Sequence, residues 1–480
     1  MSGAVFAGLP AARADDPELR ASIRRMRAAD GLLLGVLDDD PTGAQAMHDV
    51  EVVTVLAQRA YQAALARPAA ACFVLTNSRS LAEAAAAGVT ARAASGLIAA
   101  AGRRGARIQL ISRSDSTLRG HLIAEVAALQ AVHREVLGCG FDAVLLIPAF
   151  IEAGRLTVND IHWARTSAGL IPAGETEFAQ DPAFGYTASD LRDFVAQKAR
   201  GAIPREDVVS ISLADIRSGG PSRICELLAG LADGTWVIVN ASEYSDLETV
   251  ACGVLLAERA GKRFLFRTGP SFVRALTGIE PVAPLRGGQL WPGGRPEGRH
   301  GLIVVGSHVG QTSRQLAMLR AGTDVAGIEL SVPEILSGTP DPVASAATQV
   351  ADGLRRSDVV LYTSRGVAAG DSPEDGLQIA RTVSAAVART VRCALAARPA
   401  WVLAKGGITA HDVALHGLGI RRAEVAGQLF PGLISVLRPV DAGPEALGMP
   451  YVVFAGNVGG DSTLAQVVAI MNGSDVVGDR

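Results

Sequence analysis

Two short segments of this 480-residue chain gather residue types that do chemistry together. One is Asp38-Asp39-Asp40-Pro41-Thr42-Gly43. The other is Ser114-Asp115-Ser116-Thr117-Leu118-Arg119-Gly120-His121. Each follows directly on an apolar run, 32–37 in the first case and 108–111 in the second. Apolar runs bounded by turn residues read as buried parallel strands. In open α/β sheets, ligands bind just past the carboxyl ends of such strands. Carboxylates, hydroxyls and an arginine at two strand ends suit a small, polyhydroxylated, anionic molecule. Asp39, Asp40 and Asp115 form the pool from which a general base would come, and Arg119 would orient the ligand.

Crowded acids need counter-charges. Arg79, Arg113, Arg119 and Arg155 each follow an expected strand, and arginine's planar fork suits a carboxylate. Alternation along the chain sends Asp39 opposite to Asp38 and Asp40. A salt-bridge network that merely closes the loops is the structural alternative. Asn159 and His162, in the polar stretch after the 143–147 strand, offer hydrogen bonds to sugar hydroxyls. A lone histidine in such a place is more often structural.

A second set of residues lies near the other end of the chain. Three apolar runs end in glycine-rich turns: Gly306-Ser307-His308-Val309-Gly310, Lys405-Gly406-Gly407-Ile408-Thr409 and Ala455-Gly456-Asn457-Val458-Gly459-Gly460. Glycine at a strand-to-helix turn lets backbone N–H groups approach phosphates closely. Any one such turn is as readily an ordinary tight turn, but three at one sheet edge favour a nucleotide site. Lys405 would neutralise phosphate charge or lie on the surface. No G-x-x-x-x-G-K-[ST] loop, G-x-G-x-x-G fingerprint, G-x-S-x-G elbow or H-E-x-x-H pair occurs, so P-loop, dinucleotide, serine-hydrolase and zincin chemistries lack their usual marks. Metal ligation by side chains is not expected.

The elements that must hold these residues alternate. Strands are expected at 71–75, 106–111, 143–147, 208–211, 236–239, 302–305, 359–362, 401–404 and 451–454. Helices are expected at 81–101, 122–137 and 378–397. This is the pattern of an α/β fold with mostly parallel, Rossmann-like layered sheets. Residues 281–300 are rich in Pro and Gly and read as a linker. The expected organisation is a surface segment at 1–30, in which Asp16-Pro17-Glu18 would open a short helix ending near Gly31, a small-acid domain at 31–280, the linker, and a nucleotide domain at 301–480, with the active site in the cleft between domains. Net charge is −3, without basic blocks, which gives no electrostatic footprint for nucleic acid or a membrane surface. The five cysteines form no C-x-x-C pair, no apolar run reads as a membrane span, and the N-terminus shows no signal-like region, so a cytoplasmic protein is expected.

With these residues in view, the chain resembles the four-carbon acid sugar kinases over nearly all of residues 32–472. The resemblance rests on Asp39-Asp40-Pro41-Thr42-Gly43, Ser114 to Gly120, Pro148-Ala149-Phe150 with Glu152-Ala153-Gly154-Arg155, Gly306-Ser307, Lys405 to Thr409, and Gly456-Asn457-Val458-Gly459. It implies an N-terminal sugar-acid domain, a C-terminal ATP domain, and Mg²⁺-dependent phosphorylation of a sugar-acid hydroxyl. Carried onto this chain, ATP contacts would fall on Ser307, on Gly406, Gly407, Ile408 and Thr409, and on Gly456, beside Lys405 and Asn457. Asp38, Asn77, Arg113, Ile151 and Trp163 depart from the commonest forms, all in the sugar-acid half, and so bear on the substrate. A two-lobed sensor without turnover and a nicotinamide-dependent oxidoreductase are the alternatives. The substrate, the general base and self-association are left open by the sequence.

Overall fold

Apolar runs set between turn residues pair here as neighbouring parallel strands. The computed structural model describes residues 5–67, 71–166, 169–306, 310–338, 341–364, 373–456 and 458–474. The chain divides into two units, Met1–Pro281 and Val282–Arg480. Each carries a mostly parallel sheet flanked by helices.

The strands of the first unit are β1 (Leu32–Asp38), β2 (Glu51–Val53), β3 (Cys72–Leu75), β4 (Arg107–Arg113), β5 (Ala143–Ile147), β6 (Arg155–Val158), β7 (Ile161–Thr166), β8 (Gly169–Pro172), β9 (Val209–Ile211), β10 (Thr235–Val239) and β11 (Phe264–Thr268). Eight of them form one sheet in the order β2-β3-β1-β4-β11-β5-β10-β9, every pairing parallel. Burial on both faces explains the near-continuous apolar runs. Register places the ends level. Asp38 faces Leu75 and Arg113, Arg113 faces Thr268, and Thr268 faces Ile147. The polar residues that follow these strands therefore leave the sheet at one edge.

β6, β7 and β8 form a separate antiparallel sheet inserted after β5. These strands were not foreseen, because their alternating polar residues give no apolar run. Asn159 and Asp160 join β6 to β7, both with positive φ (53° and 64°), the mirror-turn conformation that closes tight hairpins.

Three sequence expectations differ from this architecture. The helix Glu83–Gly102 is long and apolar enough by length and composition to cross a membrane, whereas no such run was expected. Half of that stretch is buried: Ala86, Ala93, Ala94 and Leu97 face the core, and Gly96 lies against the ring of Tyr61, where a Cβ would clash. Residues before 31 are more than a surface segment. Asp16 caps the helix Pro17–Ala29 at Leu19 N (2.9 Å), and Ile23 on that helix is fully buried. Arg20 on the same helix is buried among Asp15, Glu248 and Glu280.

The third difference concerns residues 282–300, which belong to the second unit. Leu285 N donates to Gln428 O (2.7 Å), and Leu285 and Leu290 are buried in that unit's core with Trp401. Pro and Gly limit this stretch to a short 3₁₀ turn at Gly287–Gln289, while two leucines still anchor it. The second sheet contains β12 (Gly301–Val305), β13 (Ala326–Leu330), β14 (Val359–Thr363), β15 (Trp401–Lys405), β16 (Arg422–Phe430), β17 (Ile434–Asp441) and β18 (Tyr451–Phe454). Its order is β13-β14-β12-β15-β18-β17-β16, parallel up to β18 and antiparallel beyond.

The buried face of the N-terminal helix yields a stability expectation. Ile23→Ala should cost about 2–5 kcal/mol, read as a lowered denaturation midpoint. An unchanged midpoint would mean that this helix does not belong to the cooperative unit.

Candidate active site

In the first unit, the charged residues at the sheet edge neutralise one another in a fixed pattern. Asp38, the last residue of β1, is fully buried and accepts from Arg113 NH1 at 2.7 Å. Asp39 accepts from Arg79 through Nε (3.2 Å) and NH2 (2.6 Å), and from Ser114 Oγ (2.6 Å). Asp40 accepts from Thr42 Oγ1 (2.5 Å) and from Arg79 NH1 (3.4 Å). Asp38 thus turns to Arg113, while Asp39 and Asp40 share Arg79.

Burial pushes the Asp38 carboxyl up to about 7, against the pull of Arg113. Burial also opposes ionisation of Asp40, but Arg79 and Arg113 outweigh it and hold that carboxyl low. Arg79 is raised despite burial, because Asp39, Asp40 and Asp115 surround it.

Asp115 and Arg119 belong to the loop between β4 and the helix Leu122–Leu137. Arg119 Nε donates to Asp115 at 2.6 Å, and Thr117 Oγ1 donates to the same carboxylate. Arg79 and Arg119 hold Asp115 well below the usual carboxylate range, although burial works the other way. Both residues line a small cavity with Ser114, Leu118, Pro148 and Arg267. A larger cavity of about 400 Å³ lies at the opposite, amino-terminal end of these strands, beside Leu32, Arg107, Phe141 and Phe264, away from the motifs.

The sequence reading missed two buried groups under this loop. Arg267 on β11 donates to Ser112 Oγ (2.6 Å), to Ser114 Oγ (2.8 Å) and to Glu125. Ser78 Oγ donates to the other oxygen of Glu125. The signal was an arginine inside the apolar run Phe264-Leu265-Phe266-Arg267 and a glutamate on an Ala/Leu-rich helix. Gly120 packs onto this network with φ 119°, and a Cβ there would meet Ser114 Oγ (2.8 Å), Asp39 Oδ2 (3.0 Å) and Arg267 NH2 (3.1 Å). Glycine alone fits both the conformation and the space.

The remaining predicted residues of this unit take varied places. Arg155 opens β6 after a turn fixed by Glu152, which accepts from Tyr244 OH (2.5 Å) and Ser271 Oγ (2.9 Å). Asn159 is exposed at the β6–β7 hairpin tip. His162 is fully buried on β7, and burial lowers its pKa to about 4. The neutral ring donates from Nε2 to Ser116 O (2.7 Å) and accepts at Nδ1 from Thr157 Oγ1 (3.0 Å), a tautomer fixed by its partners. It pins the Asp115–Arg119 loop from behind.

In the second unit, register aligns Val305, Lys405 and Phe454 at the carboxyl ends of β12, β15 and β18. Gly406 follows Lys405 with φ 113° and donates to Phe454 O (2.8 Å). A Cβ on Gly306 would clash with Thr409 Oγ1, so the turns after β12 and β15 touch. Ile408 is exposed and Thr409 nearly buried. The Lys405 side chain is fully buried over the Phe454 ring (3.7 Å), and Nζ donates to Ala455 O (2.9 Å) and Gly456 O (3.5 Å). Burial lowers its pKa to about 7. Thr312 Oγ1 also donates to Gly456 O (3.0 Å). Ser307 and Asn457 lie outside the described residues.

Comparison with known proteins divides the chain at the same place. Residues 34–276 match the family model of a sugar-binding N-terminal domain, and residues 302–464 that of a nucleotide-binding C-terminal domain. A D-threonate kinase of Bordetella bronchiseptica is 28% identical over 449 residues, spanning 90% of this chain and 96% of its own. One from Cupriavidus necator is 27% identical over 351 residues, spanning 72% and 75%. Crystal structures of proteins from Haemophilus influenzae (TM-score 0.60, 18% identity, 90% of this chain and 99% of that one) and Salmonella typhimurium (TM-score 0.64, 15% identity, 91% and 98%) share the fold.

The buried Asp38–Arg113 pair carries two expectations. Removing one partner of a buried pair costs about 3–5 kcal/mol, so Arg113→Ala should destabilise strongly in urea titrations. Asp38 has its folded pKa raised from 3.8 to about 7. The stability it contributes is fully present below its unfolded value and lost as pH rises through 7. Asp38→Asn should flatten the stability profile across that window. A profile identical to wild type would place the titration elsewhere.

Proposed function

The chain belongs to the four-carbon acid sugar kinase family, and from that premise we propose that it transfers the γ-phosphoryl group of ATP to a hydroxyl of a small sugar acid of the D-threonate kind. The observation that carries the reading is the Asp115–Arg119 pair at 2.6 Å, set at the carboxyl edge of the sheet in the sugar-binding unit. An anionic, hydroxyl-bearing molecule matches that edge in charge and in hydrogen-bonding capacity. The relatives named D-threonate kinase support the substrate class. The match of 302–464 to a nucleotide-binding domain, with glycine turns after β12, β15 and β18, supports ATP as the donor. The protein is read as cytoplasmic.

Phosphoryl transfer asks for in-line positioning, neutralisation of charge and a place for the hydroxyl proton. Asp39 is occupied on both oxygens by Arg79 and Ser114, so its part is to hold Arg79 and the 114–120 loop. Asp40 and Asp115 keep more exposure (19% and 13% of the side chain) and are the carboxylates to meet a substrate hydroxyl. Asp115 is ionised at neutral pH and accepts that hydrogen bond, while Arg119 steadies the anion. Gly406 and Gly306 leave backbone room for phosphates, and Lys405 shapes the Gly456 turn from below.

Among the described residues, no group of three His, Cys, Asp or Glu could hold a metal ion. Magnesium delivered with ATP would be held by the phosphates and at most one or two carboxylates, and no step is routed through it.

Purified protein with Mg-ATP should release ADP when D-threonate or a related four-carbon acid is added, and not without it. Folded, ATP-binding protein that releases none across a panel of such acids overturns the reading. Arg119→Ala should raise the sugar-acid KM about tenfold or more, and Asp115→Asn should mainly lower kcat. Near-normal kinetics in both variants would remove the loop from the site. Gly306→Val, which crowds Thr409, should weaken ATP binding and leave the sugar-acid KM close to wild type.

A further inference from the structure

Two cations of the first unit share one aromatic ring. The guanidinium carbon of Arg119 lies 5.1 Å from the centroid of the Phe178 ring, and that of Arg155 lies 5.8 Å from it. Like charges gathered on one ring repel unless each is compensated. Arg119 is compensated, by Asp115 at 2.6 Å and Asp181 at 3.7 Å. Arg155 is not: NH1 donates only to the carbonyls of Ala153 (2.9 Å) and Arg165 (3.3 Å), and its Nε is buried with no partner. Among the described residues, no carboxylate pairs with Arg155. Burial and the neighbouring Arg119 both disfavour its charge, partly offset by Asp115.

Neither arginine is free to leave. The Gly154 turn, with φ 66°, sets Arg155 at the start of β6, and Glu152 anchors that turn. Phe178 sits half-buried on the short turn Glu177–Gln180. The segment around it is tied to the Arg119 loop, since Tyr186 OH donates to Thr117 O at 2.7 Å. The structure thus holds an under-compensated guanidinium beside a second one, on a ring that has no other evident task.

We propose that Phe178 is a positioning residue that holds Arg119 and Arg155 as a two-guanidinium clamp for the carboxylate of the sugar acid. The proposal rests on the kinase reading above and deepens it, by assigning the carboxylate to this end of the site and the phosphorylated hydroxyl to the Asp115 side. A carboxylate accepts paired N–H bonds from such a fork and supplies the charge that Arg155 lacks. A neutral polyol of the same length leaves the clamp unsatisfied, so the clamp selects acids over alcohols.

The test is steady-state kinetics of the full chain with the four-carbon acid that wild type turns over fastest, beside threitol as the neutral analogue. Phe178→Leu should raise the acid's KM about tenfold, leave kcat and the ATP KM within about twofold, keep the melting temperature, and narrow the preference for acid over threitol. Phe178→Tyr should restore the wild-type KM. Arg155→Lys, which keeps the charge but loses the planar fork, should raise KM as Phe178→Leu does. An unchanged KM in Phe178→Leu or in Arg155→Lys overturns the clamp while the kinase reading stands. A loss in Phe178→Leu that follows its melting temperature and is not rescued by Tyr also overturns it. Wild-type protein that turns over none of the acids overturns the kinase reading and the clamp together.

Discussion

The last shared register of β1 and β4 sets Asp38 opposite Arg113, with both side chains buried. A carboxylate taken out of water there is tolerable only with a cation at its side. Their 2.7 Å contact lets two polar loops leave the sheet at one level. Everything at that edge depends on the charges being matched. Asp39 takes Arg79 and Ser114, Ser114 is held by Arg267, and Arg267 is held in turn by Glu125. The result is a rigid floor under Asp115 and Arg119. Gly120 can cover that floor because it has no side chain to displace.

The two units finish their strand ends in different materials. The first uses side chains, namely arginines and aspartates paired in alternation so that little charge is left over except at Arg155. The second uses backbone. Glycines follow β12, β15 and β18, and the buried cation Lys405 is spent on the carbonyls of Ala455 and Gly456. A side-chain site can read the shape and charge of a small acid. A backbone site suits a phosphate chain, which presents the same oxygens along its length.

Several candidate residues spend their polar groups or backbone within the protein. His162 stands where a sugar hydroxyl could have been met, yet both ring nitrogens are used within the protein, and burial keeps it neutral. Asn159 serves the hairpin, since asparagine tolerates the positive φ required there. Glu152 supports the turn that presents Arg155 through Ser271 and Tyr244. Such groups lie beside the chemistry in sequence, and spacing alone does not separate them from residues that touch a ligand.

The sequence by itself determined most of the runs that become parallel strands, although β2, β11 and β13 pair in parallel too and were not foreseen. Strands buried on both faces need uninterrupted apolar residues, and β1, β4, β5, β12, β15 and β18 announce themselves in that way. It also determined that charged and glycine-rich turns follow them, because those residue types stand directly after each run. The tertiary structure alone decided what could not be read along the chain. The short strands β6 to β8, and β16 with its alternating burial, carry no apolar run and were invisible. So were Arg267 and Glu125, which are stable in the interior only because register and helix placement bring them face to face. Phe178 reaches Arg119 and Arg155 from a segment distant in sequence, and a short loop pattern has no means of encoding such a meeting. Local composition fixes where a chain becomes strand or turn, whereas the pairing of buried charges depends on distances set only when the whole sheet closes around them.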